Sequence, residues 1–169
     1  MKIKTILTVL GLACAIQAQQ ANTQTPEQQH AAMMKRGDAG MGFSHEQTTH
    51  HFVLLKGGGA IQVSVNDPKD DASRDQIRMH LSHVAEMFSA GNFNVPMFIH
   101  DTTPPGVPTM EKLHSEIYYR YQQTDAGGKI MIETANPKTL QAVHKFLRFQ
   151  IDEHQMGEPT KVTDDAAQR

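Results

Sequence analysis

Residues 58–68 read GGAIQVSVNDP and residues 127–137 read GGKIMIETANP, and the two stretches align without a gap. Each opens on a glycine pair suited to a tight reversal and closes on an Asn and a Pro that interrupt regular structure. Between those limits Ile61, Val63 and Val65 alternate with Gln62 and Ser64, and Ile130, Ile132 and Thr134 alternate in the same way. A period of two with one apolar face predicts two half-buried strands.

Working outward, residues 50–55 are apolar on both faces, Phe52 and Leu54 one way, Val53 and Leu55 the other, which predicts a central strand. Ile117, Tyr119 and Tyr121 alternate with Tyr118 and Arg120 before the turn at residues 125–128. After the first strand pair, Ile77, Leu81, Val84, Ala85 and Phe88 share one helical face at about 100° per residue, with Asp71 or Ser73 as cap and Gly91 as stop. After the second pair, a helix is predicted over residues 138–154, with Leu140, Leu147 and Ile151 as its buried column. Residues 97–100 read as a short strand delivering His100 and Asp101 into the stiff loop DTTPPGVP, residues 101–108. The chain is thus two strand-strand-helix units whose helices align after a three-residue shift. The expected fold is α+β: a mainly antiparallel sheet with two helices packed on one face. There is no G-x-G-x-x-G or Walker pattern to support a nucleotide-binding doubly wound fold.

The N-terminus has the organisation of an export signal: Lys2 and Lys4, an apolar run from Ile6 to Ile16, and a cleavage site near Ala18. The run is too short to span a bilayer as a mature helix. The expected protein is periplasmic or secreted, with an acylated lipoprotein at Cys14 as the alternative. Cys14 is the only cysteine, so the mature chain has no disulfide or thiol chemistry. Residues 19–43 read as a flexible leader, 44–157 as a single domain and 158–169 as a disordered polar tail. A net charge of -2, two units more negative once Lys2 and Lys4 leave, argues against nucleic acid and anionic membranes as partners. Oligomeric state is not legible.

Histidine and methionine, ten of each, stand at about twice ordinary usage. His80, His83 and Met87 fall at i, i+3 and i+7, neighbours on the flank of the first helix. With His100 and one of His50 or His51, they are the candidate ligands of a transition metal, copper before zinc, because imidazole and thioether are soft or borderline donors. Half-buried packing accounts for each of them singly, and a plain module binding a small ligand or a protein is the alternative. His114, His144 and His154 read as rim or cap residues, His154 at a helix C-terminus.

MGFSHEQTTHHF, GGAIQV, SRDQIRMHLSHVAEMF, FIHDTTPPGVP and HKFLRFQIDEHQMG together resemble a family of small exported bacterial proteins. The resemblance covers most of residues 41–157 and implies export but no established activity. Some members are labelled aspartate carbamoyltransferase, an enzyme that needs an S-T-R-T turn and an H-P-x-Q segment. This chain has neither. Nor does it carry G-x-S-x-G, H-E-x-x-H or C-x-x-C-H. An enzyme would have to use His100 and Asp101, and it ranks below the binding readings.

Overall fold

The two glycine-led stretches lie side by side at the centre of a four-stranded antiparallel sheet. This is seen in a computed structural model that describes residues 25–155 and 157–164. The strands are β1 (Thr48–Leu55), β2 (Gly58–Val65), β3 (Tyr118–Thr124) and β4 (Gly127–Glu133), in the order β1-β2-β4-β3. Around them run α1 (Pro26–Met41), α2 (Asp71–Ser89), α3 (Asn94–His100), α4 (Val107–Lys112) and α5 (Pro137–His154). The N-terminal segment read as a signal, Cys14 included, lies outside the described residues, and no described helix is long and apolar enough to cross a membrane.

The pairing is symmetric. Gly58 to Gly127 is a step of 69 residues, and so is Ile61 to Ile130, which face each other in the β2–β4 ladder. Val65 N–H donates to Ala126 O (2.8 Å) and Thr134 N–H to Gly57 O (2.9 Å), the same bond made twice. Gly58 and Gly127 are fixed by close approach. A Cβ on Gly58 would lie 1.8 Å from Ile132 O, and one on Gly127 would lie 2.3 Å from Val63 O. No side chain fits there.

The helices repeat with a step of 66, Asp71 to Pro137, which is the three-residue shift expected. Asp70 caps α2 by accepting from Ser73 N–H (3.0 Å), and Asn136 caps α5 by accepting from Lys138 (2.8 Å) and Thr139 N–H (3.4 Å). Both helices cover the same sheet face. Ile61, Val63, Val65, Leu81, Val84, Phe88, Ile130, Ile132, Leu147 and Ile151 share one core, as their spacing predicts. Leu140 is only half-buried; Val143 and Phe146 take its place in the buried column.

Four readings need correction. β1 is an edge strand, and residues 158–164 run along its outer edge instead of trailing as a free tail. Pro26–Met41, inside the segment read as a flexible leader, is a helix. It opens on a Thr25–Gln28 capping box and buries only Met33 and Gly37, too narrow a stripe to give an apolar period. Residues 97–100 belong to the short helix α3, not a strand. Pro96 is tolerated because it sits in the first turn, where the N–H has no helical partner. α4 begins at Val107, inside the stretch read as a stiff loop over residues 101–108.

Candidate functional site

A cavity of about 70 Å³ lies between the sheet, α2, α3 and the end of α5. Its polar lining is His50, His80, His100, Gln150 and His154, set among Phe52, Val84, Phe88, Phe146 and Met41. Strand parity decides between His50 and His51. His50 shares the inward face with Phe52 and is buried, whereas His51 points to the opposite face and meets Glu158 (2.5 Å).

Of the residues singled out from sequence, His50, His80 and His100 therefore meet at one cavity. His51, His83 and Met87 do not: His83 is exposed, and Met87 is half-buried away from the cavity wall. The i, i+3, i+7 row splits because the cavity lies on the His80 side of α2, one third of a turn from His83. Asp101, the C-cap of α3, is exposed and in the left-handed region at φ 52°. It lines a neighbouring polar cleft of about 320 Å³ with Arg36, Asp152 and Glu153, and His100 forms the wall shared by cleft and cavity.

His154, read as a helix cap, is the residue the sequence concealed. Its ring stands 5.4 Å from that of His50 and 5.5 Å from that of His100, centroid to centroid. The internal repeat would have revealed it. His154 stands 66 residues after Phe88, and His50 stands 69 before Tyr119. The Phe88–Tyr119 ring pair (5.6 Å) is the counterpart of the His50–His154 pair. His80 likewise corresponds to Phe146. Where one half of the domain packs aromatic carbon, the other places three imidazoles.

Those imidazoles are held neutral. Burial, with His80 next in weight, pushes His50 down to about 4. Burial takes His80 to about 4, and takes His154 to about 2 with help from His50 and His100. Burial also lowers His100, opposed by the Gln150 hydrogen bond and the Glu153 carboxylate. His100 Nε2 meets Gln150 Oε1 at 3.0 Å and Nδ1 stands 3.7 Å from Glu153, beyond hydrogen-bond length. His50 Nε2, His100 Nδ1 and Gln150 Nε2 are buried with no hydrogen-bond partner among the described residues. Each such orphan costs about 1–3 kcal/mol in an apolar setting. Among the described residues, no three His, Cys, Asp or Glu side chains converge closely enough to hold a metal ion, and the His50 and His154 rings are stacked at 27°.

His144 and His114 have structural roles. His144 Nε2–H reaches Leu55 O (2.9 Å) and Gly58 O (3.0 Å), and His114 Nδ1–H donates to Ser89 O (3.1 Å). No family model, curated protein or solved structure matches the chain.

Proposed function

We propose that this is an exported domain that binds a transition metal, copper before zinc, through His50, His100 and His154. The observation that carries the reading is a pair of buried nitrogens, His50 Nε2 and His100 Nδ1, that have no hydrogen-bond partner among the described residues and belong to rings that both neighbour the His154 ring. Neutral imidazole is the form that ligates copper and zinc. Two imidazoles on one tetrahedral ion stand about 5 Å apart between centroids, given metal–nitrogen bonds near 2 Å. The spacings of the His154 ring from His50 and from His100 match that separation, and ligation requires the His154 ring to turn out of its stack on His50. Met41 supplies a thioether at the cavity wall, which favours copper over zinc. Gln150 Nε2, a donor that no cation satisfies, favours a second reading: a small apolar ligand with one acceptor atom.

The repeat supplies the variants for a test. Titration calorimetry of protein prepared without chelator should show one copper ion per chain. His50→Tyr and His154→Phe, each taking the residue of the other half, should fold and lose that binding. His83→Ala should bind as wild type. Wild-type protein that takes up no stoichiometric copper or zinc, or a His154→Phe variant that binds it unchanged, overturns the metal reading.

A further inference from the structure

The same repeat exposes an unfilled strand position. Along the outer edge of β1, residues 158–163 run as a short parallel companion. Thr163 N–H donates to Leu54 O (2.8 Å), and Leu55 and Thr163 form a parallel bridge. Glu158 accepts from Phe52 N–H (3.0 Å) through one oxygen and meets His51 through the other. The counterparts of His51, Phe52 and Leu54, 69 residues on, are Arg120, Tyr121 and Gln123 of β3. Tyr121 and Gln123 turn their backbone groups to the outer edge of the sheet, and no described segment pairs with them there. Burial records the difference: Leu54 is 0 % and Phe52 4 % exposed, whereas Gln123 is exposed and Tyr121 half-buried.

A groove of about 520 Å³ adjoins this edge, between β3 and small residues of α2, among them Ser82, Ala85 and Ser89. Tyr119 and Tyr121 line it, and their hydroxyls are buried without a hydrogen-bond partner among the described residues. The corresponding place beside β1 is occupied by Arg148, the counterpart of Ser82, whose Nε–H donates to Thr160 O (3.2 Å). One half of the domain thus carries its own edge segment, and the other has the backbone groups, the cation and the space for one.

We propose that the outer edge of β3 binds an extended segment of a partner protein, parallel to β3, with a carboxylate side chain set against Arg120 and the Tyr121 amide. Main-chain hydrogen bonds supply affinity in such strand addition, and the side-chain pair fixes register. Arg120 now meets Glu133 at 3.3 Å, an exposed pair that a better-placed carboxylate replaces at small cost. A second copy of β3 is a poorer occupant, because its sequence, YYRYQQT, offers Arg120 no carboxylate. The chain's own residues 158–164 are engaged at β1, where Asp164 also pairs with Lys56.

The probe is a synthetic peptide of residues 157–164, GEPTKVTD, which carries the Glu and Thr at the spacing used on β1. Titrated into the full mature chain, it should shift the Tyr121 and Gln123 amide signals saturably. Arg120→Glu should weaken binding roughly threefold or more, as loss and reversal of an exposed ion pair would, while Arg120→Lys should retain most of it. Shifts confined to β1 amides, no saturable shift, or an Arg120→Glu variant that binds equally would each overturn the proposal. So would self-association through β3 that the peptide fails to compete.

Discussion

Arg78 and His144 do the same work in the two halves of the domain. Each is the eighth residue of its helix, and each reaches the two carbonyls that flank a hairpin turn. Arg78 donates to Thr124 O (2.9 Å) and Gly127 O (3.3 Å), and His144 to Leu55 O (2.9 Å) and Gly58 O (3.0 Å). The carbonyl pairs are 69 residues apart and the donors 66, so the clamp defines the phase of helix on sheet in both units. Net hydrogen bonds are worth about 0.5–1.5 kcal/mol, and those from charged donors about 1.5–3. His144→Ala should therefore cost about 1 kcal/mol and Arg78→Ala about 2 kcal/mol in urea unfolding. Two losses under half a kcal/mol would mean that packing alone sets the helix phase.

That phase also carries the core. Leu81 and Leu147 are counterparts, both buried, and each lies over the second glycine of its strand, Gly128 and Gly59. Leu81→Ala or Leu147→Ala should each cost roughly 2–5 kcal/mol. Gly58→Ala and Gly127→Ala should cost at least as much, because the new methyl meets main-chain oxygen that cannot move without breaking the β2–β4 ladder. Retention of wild-type thermal stability by either glycine variant would contradict the pairing register.

Stability should fall with acid in a way that the histidines dictate. His50, His80 and His154 have folded-state values depressed below the ordinary 6.5. The unfolded chain therefore binds more protons than the folded one below about pH 6.5. Their contribution is complete above that pH and is lost as pH drops from 6.5 toward 4, at about 1.4 kcal/mol per pH unit for each fully affected group. Urea midpoints measured from pH 7.5 to 4.5 without metal should decline over that window. The decline should flatten in the double variant His50→Tyr, His154→Phe. An equal slope in that variant would place the acid sensitivity elsewhere.

The parts of this architecture written as a period were legible in the sequence. Ile61-Val63-Val65 and Ile130-Ile132 announce strands, and Ile77-Leu81-Val84-Phe88 announces a helix, because one face of each is apolar. α1 buries too little to show a period, and α3 is too short to show one. β1 looked central because the segment that runs along its outer edge comes from more than 100 residues away, which local pattern cannot reveal. The candidate site was half legible. His80 and His100 were found as members of a histidine-rich stretch, and the pleat selects His50 over His51. His154 was hidden because a histidine in the last turn of a helix already has a sufficient electrostatic reason to be there. Aligning the helices at their own offset, and not the strands', would have set it opposite Phe88.

The buried bond between His100 and Gln150 separates a site from ordinary packing. Gln150 corresponds to Val84 of the other half, so an apolar residue fits the equivalent position. Removing one partner of a buried hydrogen bond leaves the other desolvated and unpaired, whereas replacing both with apolar groups is nearly neutral. Gln150→Val alone strips His100 of its only hydrogen bond to a described residue and should cost about 1–3 kcal/mol. His100→Leu alone should cost a similar amount, because Gln150 would then have neither its amide nitrogen nor its oxygen satisfied. The double variant His100→Leu, Gln150→Val should recover most of both losses in a thermodynamic cycle. It should also lose the copper binding proposed for wild type. Additive losses in the cycle would mean that His100 and Gln150 are held by their separate surroundings and that the bond between them contributes nothing.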